Sequence, residues 1–434
     1  MPFTEIGKAA QSAIYRAGTY GRRPKVPTDG TALEEAARRV MSRRGFAYVA
    51  GSAGGEATAR ANRAAFDRWQ VLPRMLVDTS ERNLGVELFG RRHESPLLLA
   101  PIGVLSAAHA DADLAVARAA REQQVTPILS TQASVPMEQV AAELEGSGHW
   151  YQLYWSRDDD LVESMVHRAE ACGSEAIVVT LDTAYLGWRP RDLDLGHLPF
   201  ARGEGIAQYT SDPVFRRLVE ERVAAKATAE PEPQPRPTPA AVRTLVSLSR
   251  NHPGDTRHNL SAPEPRAAVE TFLDVFSKPS LSWADLPRLR ELTSLPVVLK
   301  GVLHPDDARR AVDEGLDGIL VSNHGGRQVD RSVAALDALP GAVEAVRSSG
   351  SDVPVLFDSG IRSGADVFVA LALGADAVGI GRPHVYGLAL AGAQGVGEVL
   401  RNIRAELDLT MALTGCRTPA DITRDRLTEV PAVR

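Results

Sequence analysis

Six consecutive residues, Ser322-Asn323-His324-Gly325-Gly326-Arg327, carry the strongest chemical signal in the chain. Histidine is the side chain best suited to moving a proton near neutral pH. The two glycines let backbone approach a ligand closely. Arg327, three residues on, can hold a carboxylate through two parallel hydrogen bonds. A base and an anion clamp on one turn suit a substrate whose carboxylate sits beside the reacting carbon. The bland alternative is a satisfied histidine beside a tight turn.

Other residues extend this chemistry. Asp182, within Thr180-Leu181-Asp182-Thr183, offers a carboxylate that would orient His324 and stabilise its charged form. Arg189 and Arg191 follow shortly after it, and on chemistry alone Arg189, Arg191 and Arg327 are equivalent candidates for a substrate carboxylate. Asp358-Ser359-Gly360-Ile361-Arg362 and Gly379-Ile380-Gly381-Arg382-Pro383 combine glycines, a hydroxyl and guanidinium groups as a phosphate site would. A phosphate there implies a phosphorylated cofactor or substrate. Lys300 could stabilise negative charge developing on a cofactor ring, and Tyr48 and Tyr154 could hydrogen-bond a substrate oxygen. Buried tyrosine is more often core.

These residues need a frame. From about residue 97 the chain alternates short apolar runs with amphipathic stretches. The runs are 97–103, 126–131, 149–155, 176–182, 296–301, 318–324, 353–360 and 377–382. They are rich in Val, Ile and Leu, as strands buried on both faces should be. Helical patterns such as Asp158–Cys172 and Pro305–Glu314 lie between them. Eight repeats predict an α/β fold, a (β/α)8 TIM barrel; the alternative is a doubly wound open sheet. Chemistry in such barrels sits at the C-terminal strand ends. Those ends supply Gly103, Ser130, Thr131, Gln152, Tyr154, Thr180, Asp182, Lys300, Asn323, His324, Asp358, Ser359, Gly381 and Arg382.

Two regions fall outside the repeat. Residues 1–96 form an N-terminal extension, with a helix expected over 31–44 and a glycine-rich turn over Tyr48–Gly55. Residues 184–295 form a long insertion after the fourth strand. Its proline-rich run, 230–239, is expected to be extended and mobile, and the insertion is a candidate lid. Residues 97–434 would be the barrel.

The bulk numbers set limits. A net charge of −6 argues against a nucleic-acid binder. Two separated cysteines, Cys172 and Cys416, suggest neither a disulfide framework nor a metal site and suit a reducing cytosol. No signal peptide or apolar stretch long enough to span a membrane is visible, so a cytoplasmic location is expected.

Taken together, Ser322–Gln328, Asp358–Arg362, Gly381-Arg382-Pro383, Tyr151–Tyr154 and Thr180–Thr183 resemble the FMN-dependent 2-hydroxy-acid oxidases and dehydrogenases. Tyr48–Gly51, Ala100–Val104, Gly187–Leu193 and His304–Arg310 are similar to the lactate 2-monooxygenase branch of that family. The resemblance runs from about residue 31 to 427. It implies FMN as cofactor and a homo-oligomer, tetramer or octamer. It implies His324 as base with Asp182 as partner, and Arg189 and Arg327, rather than Arg191, as carboxylate ligands. Tyr48 and Tyr154 would contact substrate. Pro101, Ile102, Gly103, Ser130, Gln152, Thr180, Lys300 and Ser322 would surround the flavin ring and ribityl chain. Asp358, Ser359, Gly360, Ile361, Arg362, Gly381 and Arg382 would hold ribityl and phosphate.

The reaction implied is oxidation of a lactate-like L-2-hydroxy acid to the 2-oxo acid with O2 as acceptor. Hydride transfer and a carbanion route both remain open. Gly103, where many oxidases of the family have alanine, matches the branch that couples oxidation to decarboxylation. Two alternatives stand beside this: an oxidase of the same family acting on a larger hydroxy or amino acid, and a non-catalytic barrel scaffold.

Overall fold

The computed structural model describes residues 5–228 and 238–430. Eight parallel strands close on themselves, which excludes the open sheet. They are β1 (Leu97–Leu99), β2 (Thr126–Leu129), β3 (His149–Leu153), β4 (Ser174–Thr180), β5 (Val297–Val302), β6 (Gly318–Val321), β7 (Val355–Phe357) and β8 (Ala377–Ile380). β8 pairs with β1, Leu98 opposite Gly379, and this pairing seals the barrel. Each apolar run of the sequence overlaps one strand, β4 starting two residues before its run and β5 ending one residue after it. Most strands end two to four residues before the run does, so the polar ends of the runs become loop.

The period of two along each strand divides the core. Leu98, Ile128, Trp150, Val178, Val298, Leu320 and Leu356 pack together inside the barrel. Their neighbours Leu97, Leu99, Tyr151, Ile177, Val179, Leu299 and Phe357 belong to the outer layer against the helices. The hairpin Val86–Leu88/Arg91–His93 plugs the bottom, with Phe89 5.3 Å from Trp150, ring to ring.

The extension is partly different from expectation. The helix expected over 31–44 is two helices, Gly30–Val40 and Arg43–Ala50, because Ser42 caps the second by accepting from the Gly45 amide at 3.0 Å. Tyr48, Val49 and Ala50, expected in a turn, are therefore the last turn of a helix. The extension is tied to the far end of the chain. Trp69–Val71 pairs antiparallel with Leu427–Glu429. Asp408, fully buried, accepts from the Gly7 amide at 2.8 Å and takes Arg82 bidentately at 2.8 and 2.9 Å.

Most of the proline-rich run, residues 230–237, lies outside the described residues. Thr238 is extended and serves as N-cap, while Pro239 is not extended but the first residue of the helix Pro239–Asn251, where proline's missing N–H costs nothing. The described remainder of the insertion is largely helical, with Pro213–Thr228 and Glu264–Val275 packed on each other through Phe215, Val219 and Phe272. Among the described residues, no helix is long and apolar enough to cross a membrane.

Removing one partner of a buried ion pair strands the other charge. Asp408→Ala should therefore destabilise the protein by about 3–5 kcal/mol, read as a lower urea midpoint at unchanged slope. Glu314→Ala, which breaks only an exposed pair with Arg310, should cost under about 0.5 kcal/mol. A comparable shift for both variants would show that Asp408 does not anchor the extension.

Candidate active site

The strand ends and the extension enclose one cavity, opening onto about 950 Å³ not filled by protein atoms. Tyr48, Pro101, Ile102, Gly103, Ser130, Tyr154, Arg189, Lys300, His324, Arg327, Asp358, Ser359, Gly360, Ile361, Arg362, Gly381 and Arg382 all line it. Gln152, Thr180, Asp182 and Ser322 stand one layer behind, each bonded to a lining residue or to its partner. Ser130 donates to Gln152 Oε1 at 2.9 Å, and Gln152 Nε2 donates to Thr180 Oγ1 at 2.8 Å. Lys300 Nζ donates to Ser322 Oγ at 2.9 Å. Thr183, Leu186 and Gln132 also line the cavity and were not singled out as site residues from sequence. Only their place beside Asp182, Arg189 and Ser130 in the chain could have pointed to them.

His324 follows β6 in the left-handed region, φ +57°, with Gly325 and Gly326 also at positive φ. Such a conformation costs a non-glycine residue about 1–2 kcal/mol. It is held by the His324 amide donating to Ser322 Oγ at 3.0 Å and the Gly325 amide donating to Ser359 Oγ at 2.9 Å. Nδ1 lies 2.7 Å from Asp182 Oδ1. Burial, aided by Lys300 and Arg189, pushes the imidazole below its ordinary pKa despite Asp182. Burial alone would raise the Asp182 carboxyl, but His324, Lys300 and Thr183 bring it down to about 2. The consistent assignment is an ionised Asp182 accepting from Nδ1–H of a neutral imidazole, with the Nε2 lone pair left for a proton.

Cations dominate the rest of the wall. Arg189 is 8% exposed, and its guanidinium donates only to neutral groups, the Arg327 carbonyl at 3.1 Å and Gln328 Oε1 at 2.6 Å. Burial and Arg327 lower it to about 10. Arg327 donates to the carbonyls of Tyr48 and Gly51, and its guanidinium carbon lies 5.0 Å from the Tyr48 ring centre. Arg382 donates to the carbonyls of Val49 (3.0 Å), Gly51 (3.1 Å) and Gly325 (2.9 Å) and to Ser52 Oγ (2.8 Å). Burial, with Arg327 and Arg362 near, lowers it too to about 10. Among the described residues, none of these three arginines, nor Arg362, has a carboxylate within 4 Å. Arg191 does: Glu56 takes it at 2.6 Å, out on the surface. The chemical tie among the three candidate arginines is thus broken by partners, since Arg191 is already neutralised.

The cavity therefore presents two sets of guanidinium groups without carboxylate partners, which meet where Arg327 and Arg382 share the Gly51 carbonyl. Arg189 and Arg327 line the cavity with His324, on which Arg189 acts electrostatically. Arg362 and Arg382 lie beyond β7 and β8 with the Gly360 and Gly381 backbone and the buried, unpartnered Tyr386 hydroxyl, whose proton burial holds up to about 12. A phosphate suits the second set, and the Pro101–Gly103 loop and Lys300 line the same cavity, where a cofactor ring would sit. No three His, Cys, Asp or Glu side chains among the described residues group to hold a metal. The residues present fit FMN.

Comparison with known proteins agrees with this geometry. Residues 37–429 match the profile of the FMN-dependent dehydrogenase family. The chain is similar to an FMN-dependent alpha-hydroxy acid dehydrogenase of Penicillium citrinum, 40% identical over 426 residues, covering 98% of this chain and 96% of the relative. It is similar also to the L-lactate oxidase of Lysinibacillus sphaericus (strain C3-41), 39% identical and covering 88% of each. Among solved structures, mandelate oxidase with (S)-4-hydroxymandelic acid superposes with a TM-score of 0.75 at 37% identity, covering 94% of this chain and all of that one. With a profile match over most of its length and relatives this close along nearly all of it, the chain belongs to the FMN-dependent dehydrogenase family and is an oxidoreductase that uses FMN.

Proposed function

We propose that this enzyme oxidises an L-2-hydroxy acid to the 2-oxo acid, with O2 as the final acceptor. The observation that carries the reading is His324 Nε2, free to take a proton, in one cavity with two guanidinium groups that have no carboxylate of their own. That arrangement asks for a carboxylate on the atom next to the one that loses a proton. Relatives named as lactate oxidase and as alpha-hydroxy acid dehydrogenase support it.

In this reading Arg189 and Arg327 hold the substrate carboxylate, and Tyr48 and Tyr154 donate to its oxygens. Both phenols stay protonated because burial raises their pKa. His324 removes the proton from the substrate hydroxyl, or from the α-carbon, and Asp182 stabilises the imidazolium so formed. When bound, FMN supplies the two-electron acceptor that no side chain can provide. Ser130, Gln152, Thr180 and Lys300 would hold its ring. Asp358 to Arg362, Gly381 and Arg382 would hold its ribityl phosphate, with Lys300 contributing a fixed positive charge. Burial would lower the Lys300 pKa, but Asp358, 3.4 Å away, and Asp182 raise it, so it stays charged.

Gly103 has a packing reason. A Cβ there would meet Gln132 Cβ at 2.8 Å and its carbonyl oxygen at 2.9 Å. The small residue is therefore accounted for without reference to what becomes of oxygen, and simple oxidation is the reading favoured. Aerobic turnover of lactate should yield pyruvate and hydrogen peroxide in equal amounts; acetate and CO2 would identify coupled decarboxylation instead.

His324→Ala should slow anaerobic bleaching of the flavin by about three orders of magnitude or more while FMN stays bound. A near-native rate would remove His324 from the role. The pH dependence follows from the sign of the shift. His324 is depressed below its ordinary 6.5, so its neutral, active form persists down to that lower pKa and kcat/KM falls only as pH drops through it. Asp182 raises the His324 pKa, so Asp182→Asn should move this acid limb to lower pH. It should also lower the plateau by about 10³-fold or more, because an amide can donate to Nδ1 and leave the proton on Nε2. An acid limb that moved upward would contradict the assignment.

A further inference from the structure

The segment after β4 builds a second chamber outside the catalytic cavity, opening onto about 1310 Å³ not filled by protein atoms. Leu186 and Arg189 line both spaces, so the two meet at these side chains. One part of the chamber wall is apolar and exposed: Trp188 is 73% exposed and Leu193 49%. The rest is basic. Arg44 comes from the helix Arg43–Ala50, Arg202 from the turn Pro199–Arg202, and Arg243 from the helix Pro239–Asn251. Arg202 has Glu204 at 3.3 Å; Arg44 and Arg243 have no carboxylate within 4 Å among the described residues.

The cations converge. His197 lines the same chamber, and besides its burial both Arg44 and Arg202 hold its pKa down. Asp192 is the acid on this wall; burial raises its pKa, and Arg327, Arg189 and Arg191 oppose that rise. The chain as a whole carries −6, so a basic recess at the mouth of the active site runs against its average charge. Like charges gathered around one concavity repel, and an anion seated among them offsets the cost. Guanidinium groups are the side chains suited to a carboxylate or phosphate, and an indole face suits the chain leading to it.

We propose that this chamber binds a second anionic group, a carboxylate or phosphate at the far end of the substrate's side chain, making an extended 2-hydroxy acid the preferred substrate. The proposal rests on the hydroxy-acid reading and deepens it. Arg189 stands where the two spaces meet, Trp188 and Leu193 would cover the intervening chain, and Arg44, Arg202 and Arg243 would take the distal anion.

The test is a substrate series on the FMN holoenzyme, by anaerobic bleaching and by steady state. It compares ω-carboxy 2-hydroxy acids from 2-hydroxyglutarate to 2-hydroxysuberate, their ω-phospho counterparts, and uncharged 2-hydroxyalkanoates of matched length. At the best length the charged acid should exceed its uncharged match in kcat/KM by about tenfold or more, and whichever of carboxylate or phosphate gains more names the group. Arg44→Ala/Arg243→Ala should remove most of that advantage through KM, leaving the uncharged acids unchanged, and Arg44→Lys/Arg243→Lys should retain part of it. Equal or better turnover of the uncharged acids at every length would overturn the proposal. So would a double variant that leaves the charged acids unaffected, or that slows charged and uncharged acids alike. If no 2-hydroxy acid of any length, lactate included, bleaches the flavin, the hydroxy-acid reading itself fails.

Discussion

The C-terminal end of one short helix governs the rest of the site. Arg43–Ala50 points its last carbonyls at the cavity, where Tyr48, Val49 and Gly51 receive the guanidinium groups of Arg327 and Arg382. A helix end of this kind has unsatisfied carbonyls and a partial negative charge. It offsets two cations without neutralising them. A carboxylate in the same place would have closed an ion pair and left little positive charge to bind a ligand. Carbonyls hold each arginine in position and leave its charge available.

That arrangement explains why the extension must be fixed so firmly. Helix Ala57–Ala64 begins at Glu56, which is left-handed and gives it no side-chain cap. Asp330 caps it from outside, accepting from the amides of Gly55 and Ala57 at 2.7 Å and Thr58 at 3.2 Å. Asp330 lies six residues after His324, so one carboxylate ties the extension to the loop carrying the base. Asn62 adds a second tie, exchanging two hydrogen bonds with Asn323 at 2.8 and 2.7 Å. The Asp408 anchor does the same work at the other end of the extension. The left-handed backbone at His324 persists because these bonds over-determine it.

Much of this was legible in the chain. Eight apolar runs gave eight strands, and the residues closing them fell on one rim, because strand polarity in a barrel obliges them to. The pairing of His324 with Asp182 was legible for the same reason. What escaped depends on contacts between distant segments. Tyr48–Ala50 reads as the entry to a glycine-rich turn, and only Ser42 as a cap makes it helix. Arg191 and Arg189 are two residues apart and chemically alike; Glu56, far back in the chain, separates them. Gly103 suggested a difference in oxygen chemistry; its packing against Gln132 Cβ and carbonyl, on the next strand's loop, has no signal in the local sequence. The outer chamber gave no local signal, since Arg44, Arg202 and Arg243 belong to three separate elements.

Charge is distributed by the kind of element that carries it. Around the rim from β4 to β8 the sequence places Asp182, Lys300, His324, Asp358 and Arg382 on or just after successive strands. The formal charges among these alternate in sign. Lys300 has Asp358 at 3.4 Å, and Asp182 also acts on its charge. Those groups compensate each other and can be buried in a rigid frame. Arg189, Arg327 and Arg362 come instead from the loops beyond the strands, and no carboxylate of the protein meets them within 4 Å among the described residues. The strands thus carry the charges that settle proton positions, and the loops carry the charges that wait for a ligand. Arg382, at the first turn of the helix after β8, joins the two systems: it closes the strand series and, through its carbonyl partners, belongs to the ligand set.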